Sequence, residues 1–224
     1  MSNALNHLKA IIFDFGGVFD RQHETLQGFA ASAARLGLAP EALYATLYGG
    51  AAWAEAKVGR INHRQFLERV MRDIDPTAHD VDAFHAALFA GRQLDAAVIA
   101  VARQLARRYP LALLSNHTDE LEALLDAHDL RTLFAVIINS AKVGVAKPDA
   151  RAYQLALDGL GIQPHQALFI DDKPRNIVAA QALGIPSLLY SDAPRLLADL
   201  RMAGVLDNLI DQGDPYEQGT AGSV

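Results

Sequence analysis

The chain of 224 residues contains no cysteine. That excludes disulfides, a thiolate nucleophile and any cysteine-ligated zinc. Nowhere do 18 consecutive apolar residues occur, so no segment reads as a membrane span. The start, "MSNALNHLKA", lacks the charged-then-apolar pattern of a signal peptide, and a cytoplasmic location is expected. Positive charge is not in excess either: the net charge is −6, which argues against a partner held by its phosphate backbone. There is no Walker phosphate loop, no G-x-G-x-x-G after a strand and no internal repeat. The "DFG" at residues 14–16 has neither the glycine-rich loop nor the His-Arg-Asp loop that accompanies it in kinases.

What is present suits a globular chain. Hydrophobic residues make up 51% and charged residues 21%, enough for one domain, or a core domain with a small insert. Five short apolar runs stand out: "AIIF" before Asp14, "LALL" before Ser115, "FAVII" before Asn139, "ALFI" before Asp171 and "SLLY" before Ser191. None alternates apolar with polar, which is the pattern of strands buried on both faces of a parallel sheet. Helical spacing falls between the later runs, as at Leu121, Leu124 and Leu125, or Tyr153, Ala156, Leu157 and Leu160. Pro148 and Pro174 sit near helix starts, and Gly184 is placed to end a helix. Strand alternating with helix predicts a Rossmann-like, doubly wound α/β sheet.

One interval breaks this rhythm. Between Asp14 and Leu111 lie helical patterns at Glu24–Leu36, Pro40–Leu47, Asn62–Asp73 and Val81–Phe89, followed by a fifth at Leu94–Arg108. The fifth belongs with the sheet, and the others read as an inserted α-helical cap. The expected division is a core of residues 1–19 and 92–208, a cap of residues 20–91, and a disordered Gly-rich tail of residues 209–224.

Each strand runs out into polar residues at the same end: Asp14 after the first, Ser115 and Asn116 after the second, Asp171 and Asp172 after the fourth. Lys147 follows the third. In an open parallel sheet, ligands bind beyond the carboxyl ends of the strands, so these residues are expected to share one crevice. Three aspartates there would repel unless a cation joined them, and hard carboxylate oxygens without His or Cys point to Mg²⁺. Mg²⁺ beside an ionised aspartate, with a lysine and a hydroxyl as donors, is a phosphoryl-transfer set with Asp14 as nucleophile.

The ordered motifs "FDFGGV", "LLSNHT", "VAKPD" and "LFIDDKPRN", with a helical insert after the first, resemble those of the haloacid dehalogenase (HAD) superfamily. The likeness runs from Ala10 to about Tyr190. It implies a strand order of 3-2-1-4-5 and, for most members, a Mg²⁺-dependent phosphatase acting on a small phosphorylated metabolite. It implies Asp14 as nucleophile, Ser115 as hydroxyl donor to phosphate and Lys147 as the cation steadying both. Phosphate contacts fall to Ser115, Asn116, Lys147 and Gly17. Metal contacts fall to Asp14, the Gly16 carbonyl and the acidic pair, with Asp172 direct and Asp171 partial or water-mediated. Asn176 reads as a brace.

The departure is Gly16. The family's first motif reads Asp-x-Asp, whose second aspartate gives a carbonyl to the metal and a carboxyl as general acid and base. Glycine keeps the first and loses the second, a role worth roughly 10²–10⁴-fold. Some capped members also carry glycine here and are taken to be phosphatases. Substrates with good leaving groups, such as aryl, acyl or anomeric sugar phosphates, are the expectation, unless Asp20 or His23 supplies the proton. A weakly catalytic or non-catalytic Mg²⁺ and phospho-ligand binder, or a phosphotransferase, are the alternatives. Trp53, Lys57 and Arg21 are lesser candidates for facing substrate, His117 reads as solvent-exposed, and the residues do not decide between monomer and homodimer.

Overall fold

The computed structural model describes residues 7–20 and 26–206. Its frame is one parallel sheet of β1 (Ala10–Phe13), β2 (Leu111–Ser115), β3 (Val136–Asn139), β4 (Ala167–Asp171) and β5 (Ser187–Leu189). The strand order is β3-β2-β1-β4-β5, the doubly wound order expected. Register is set through the centre, where Ile11 pairs with Leu111 on one side and Leu168 on the other. β1, β2 and β4 are wholly buried, as their unbroken apolar runs require. β3 and β5 are not, because each is an edge strand with one neighbour. Burial on both faces, read from all five runs, therefore holds only for the inner three. Phe134 and Ala135 also fall outside β3, since a short 3₁₀ turn at Arg131–Leu133 runs up to Phe134.

Between β1 and β2 the chain builds α1 (Leu26–Arg35), α2 (Pro40–Tyr48), α3 (Ala51–Ala56), α4 (His63–Ile74) and α5 (Val81–Phe89). These five enclose a core of their own, including Phe29, Leu43, Phe66, Val70, Phe84 and Leu88. α4 shows why they fold. Phe66, Leu67, Val70 and Met71 recur at helical spacing on one buried face. Its start is fixed by a capping box, with the Gln65 N–H donating to Asn62 Oδ1 at 2.8 Å and the Asn62 N–H donating to Gln65 Oε1 at 3.0 Å. Ser32 Oγ donates to the Leu88 carbonyl at 2.6 Å and so ties α1 to α5. α3 was not anticipated from the sequence: "AAWAEA" is only 6 residues, too short to display a period.

The remaining helices clothe the sheet. α6 (Ala96–Ala106), α7 (Leu121–Ala127) and α11 (Ala193–Met202) pack on the face that carries Ile11, Phe13, Leu113 and Ile170. α9 (Ala150–Leu160) and α10 (Pro174–Ala182) pack on the face that carries Ile12, Leu114 and Phe169. Neighbouring residues of one strand thus feed opposite cores, the period-two rule of a pleated strand. The four-residue α8 (Ser140–Val143) follows β3 directly. Past the end of α10, Gly184 takes φ +80°, its N–H bonds the Gln181 carbonyl, and the Ile185 N–H reaches back to Ala180, a Schellman stop.

No helix among the described residues is long and apolar enough to cross a membrane. Arg21, His23 and the stretch 209–224 lie outside the described residues.

Candidate active site

Asp14 leaves the end of β1 with its N–H bonded to the Ile170 carbonyl of β4, so the nucleophile candidate is held against the strand that delivers the acidic pair. It is 5% exposed. A buried carboxylate needs a counter-charge, and Lys147 supplies it: Nζ lies 2.7 Å from Asp14 Oδ1 and 2.7 Å from Asp171 Oδ2. The Phe15 N–H donates to Asp14 Oδ1 at 2.7 Å. Burial pushes the Lys147 ammonium down, but the Asp14 and Asp171 carboxylates outweigh it and hold its pKa above the usual lysine value. Burial likewise pushes Asp171 up, and the Lys147 charge and its hydrogen bonds leave it below the usual carboxylate value.

The acidic pair divides its work. Asp171, fully buried, accepts from Lys147 Nζ, from the Lys173 N–H at 2.8 Å and from Asn176 Nδ2 at 3.0 Å to each oxygen. Its oxygens are spent on holding the lysine and the start of α10. Asp172 is different: Oδ2 meets Lys173 Nζ at 2.8 Å, while Oδ1 is buried with no hydrogen-bond partner. Oxygens of Asp14, Asp171 and Asp172 lie within 4.8 Å of one another, close enough for one cation. The donor set fits Mg²⁺, since it is all hard oxygen and Asp172 already draws a cation, the Lys173 ammonium. The Gly16 carbonyl suits the same place. Among the described residues no main-chain N–H bonds to it, because the turn directs Val18, Phe19 and Asp20 N–H groups at the Phe15 carbonyl.

Gly17 makes the close approach of β1 and β4 loops possible. Its φ is +76°, and a Cβ there would stand 2.2 Å from Asp172 Oδ2. Only glycine tolerates both conditions.

Ser115 ends β2 at 1% exposure, and its Oγ has no hydrogen-bond partner among the described residues. A buried hydroxyl without a partner at this strand end has a hydrogen bond to give to a ligand. Asn116 is engaged otherwise. Its Nδ2 donates to the Lys147 carbonyl at 2.9 Å and its Oδ1 accepts the Lys147 N–H at 2.8 Å. The side chain clamps the lysine's main chain, so any phosphate contact from Asn116 falls to its own N–H. Asn176 braces Asp171 through Nδ2, and its Oδ1 is buried without a partner.

Above these groups lies a cavity of about 380 Å³. Asp14, Asn116, Lys147, Lys173, Arg175 and Asn176 form its floor, and Tyr44, Tyr48, Gly49 and Trp53 its roof. Trp53 stacks edge-on to Tyr48 at 5.0 Å, so it serves the cap's aromatic wall and the cavity together. Tyr44, Tyr48 and Arg175 were not singled out in the sequence. The i, i+4 spacing of the tyrosines and the position of Arg175 in the first turn of α10 are the signals that mark them.

Two polar neighbours behave differently from the sequence reading. His117 is half-buried rather than solvent-exposed: its ring packs edge-on to Phe15 at 6.2 Å, and burial brings its pKa down to about 4. Asp20 is 2% exposed and is engaged by Arg92 at 2.6 and 2.7 Å.

The family model for haloacid dehalogenase-like hydrolases matches residues 8–184. Phosphoglycolate phosphatase of Yersinia pseudotuberculosis is 30% identical over 187 residues, 81% of this chain and 80% of that protein. Acyl-CoA dehydrogenase family member 10 of Mus musculus is 31% identical over 144 residues, 61% of this chain, and the match spans only 13% of that longer protein. Among solved structures, a HAD-family enzyme of Bacteroides thetaiotaomicron in complex with magnesium and inorganic phosphate shares the fold with a TM-score of 0.66. That pair is 20% identical over 82% of this chain and 94% of the other. The chain belongs to the haloacid dehalogenase-like hydrolases.

Proposed function

We propose that this hydrolase is a Mg²⁺-dependent phosphatase that cleaves a small phosphorylated metabolite through an aspartyl phosphate on Asp14. One observation carries the reading: a buried aspartate, held at 2.7 Å by a buried lysine, faces a second aspartate with an unpartnered oxygen. The relation to a phosphoglycolate phosphatase over 81% of the chain supports the phosphomonoester class.

Asp14, Asp172 and the Gly16 carbonyl would hold Mg²⁺, which when bound offsets phosphate charge and screens it from the carboxylates. Lys147 sets a positive charge beside Asp14 and draws the phosphate oxygens, and Ser115 Oγ donates to one of them. An Asp14 oxygen attacks phosphorus in line, the P–O bond to the leaving group breaks, and its electron pair departs with that oxygen. Water then attacks phosphorus, the bond to Asp14 breaks with its electron pair returning to the carboxylate, and both protons of the water leave with the released phosphate as dihydrogen phosphate. The usual proton donor is missing: Gly16 has no side chain, Asp20 is tied to Arg92, and His117 is neutral near pH 7. The site therefore favours leaving groups that depart as stable anions.

Phosphate release from a panel of aryl, acyl and sugar phosphates, with and without Mg²⁺, tests the reading. Turnover is expected only with Mg²⁺ and is abolished in Asp14→Asn. Mg²⁺-dependent turnover that survives Asp14→Asn would refute the aspartyl-phosphate route. Gly16 also favours a second reading, a member of the family that binds Mg²⁺ and a phosphorylated ligand without turning it over. Tight binding with no phosphate release across the panel would select it.

A further inference from the structure

Away from the aspartates, three side chains meet where the cap helices touch the loop after β2. His63 opens α4, His85 lies on α5, and Glu120 precedes α7. His63 Nε2 stands 3.2 Å from Glu120 Oε2, and His85 Nε2 stands 3.2 Å from Glu120 Oε1. One ligating atom from each lies within 4.8 Å of the others. We propose that His63, His85 and Glu120 form a second metal site, for Zn²⁺ or a similar imidazole-seeking divalent ion, that fastens the cap to the core.

Three features carry this. The spacing is within reach of the ion: with Zn–N and Zn–O bonds near 2.0–2.1 Å, tetrahedral ligand atoms sit about 3.3 Å apart, and each histidine already stands 3.2 Å from one oxygen of Glu120. The atoms are also short of partners. His63 Nε2 and Glu120 Oε2 are both buried, and neither has a hydrogen bond among the described residues although they face each other. A cation between them satisfies both at once. The His63 ring is already aimed, because its Nδ1 lies 2.9 Å from Thr118 Oγ1 and the His63 main-chain N–H donates to Asp119 Oδ1 at 2.6 Å. An outer partner on the far ring nitrogen is how proteins orient a ligating histidine. The nearby cation Arg92 is ion-paired with Asp20 at 2.6 Å, which offsets part of the charge it presents to His63 and Glu120.

The donor types separate this site from the first. Imidazole with one carboxylate selects zinc-like ions, whereas the all-oxygen set around Asp14 selects Mg²⁺. Two ligands belong to cap helices and one to the loop that begins with Ser115 and Asn116. A bound ion therefore holds the cap shut over the cavity and slows exchange of substrate and product.

Calorimetric titration of Zn²⁺ into the full chain, with Mg²⁺ in excess to fill the oxygen site, tests the proposal. One Zn²⁺ per chain is expected, with thermal stabilisation of the apo-to-bound transition. Affinity should fall by at least about 100-fold in Glu120→Gln and in His85→Ala, more than the 10–100-fold of a lost outer partner. His85→Gln checks that any loss in the alanine variant is not a folding defect. Asp172→Asn, which alters only the oxygen site, should bind Zn²⁺ as the wild type does. Binding that is absent under excess Mg²⁺, unchanged in both ligand variants, or lost in Asp172→Asn overturns the proposal.

Discussion

Lys147→Met leaves two buried carboxylates facing each other without their shared cation, and its cost follows from the geometry. At 2.7 Å each ion pair is worth about 6 kcal/mol of attraction at an effective dielectric near 20, much of it offset by the desolvation of the charges. Removing one partner of such a cluster costs about 3–5 kcal/mol, because the remaining charges stay buried and unpaired. Methionine keeps the apolar stem but loses the ammonium, which lies 5.5 Å from the Phe169 ring centroid. The pH dependence gives the sharper signature. In the wild type Asp171 is depressed, so its contribution is complete above the unfolded value near 3.9 and is lost only as pH falls through the lower folded value. Lys147 is raised, so its contribution is complete below its unfolded value near 10.4 and is lost only as pH rises through the higher folded value. The cluster's contribution is therefore flat between pH 5 and pH 8. In the variant one carboxylate must take a proton, its folded pKa rises, and stability is lost as pH climbs. Urea unfolding in Mg²⁺-free buffer should show the variant less stable by about 3–5 kcal/mol at pH 8, with about 1–2 kcal/mol recovered at pH 5. A deficit under 1 kcal/mol, or one that does not change with pH, would refute the reasoning.

Gly17→Ala combines a positive φ, worth about 1–2 kcal/mol for a non-glycine residue, with a Cβ placed 2.2 Å from Asp172 Oδ2. It should lower thermal stability and weaken Mg²⁺ binding together; unchanged Mg²⁺ affinity by calorimetry would show that Asp172 is not held as described. Gly16→Asp restores a carboxyl acid beside the leaving oxygen. Alkyl phosphate turnover should rise toward the roughly 10²–10⁴-fold of general acid catalysis, while aryl phosphates, whose phenol leaving groups have a pKa of about 10, gain far less. An equal gain on both, or none on alkyl phosphates with chemistry rate-limiting, would mean that the native site already has its proton donor.

The sheet was readable because β1, β2 and β4 must bury both faces, which leaves unbroken apolar runs ending in Asp14, Ser115 and Asp171. The convergence of those ends follows from parallel topology alone, so the strand-end residues of the candidate site, unlike Tyr44, Tyr48 and Arg175, could be collected from the chain before any coordinates. Their division of labour could not. Asp171 and Asp172 are adjacent and chemically identical, and only the placement of Lys147, Lys173 and Asn176 separates the filled carboxylate from the one with an open oxygen. Asn116 hides its role in the same way, since a clamp on another loop's main chain has no signature at a distance of 31 residues. α3 escaped because its 6 residues, fewer than two turns, carry no period. The partial exposure of β3 and β5 depends on which strands close the sheet, a property of the assembled order and not of either segment.

The Asn116 clamp has a mechanical meaning. Lys147 arrives on the connection that follows an edge strand, the element of the sheet most apt to fray and breathe. Two hydrogen bonds stitch that connection to the interior strand bearing Ser115, so the ammonium inherits the steadiness of the sheet's middle and not the looseness of its rim. The Ser115 hydroxyl and the Lys147 ammonium are thereby tied through neighbouring backbone, and movement of the border strand has two hydrogen bonds to break before it parts them.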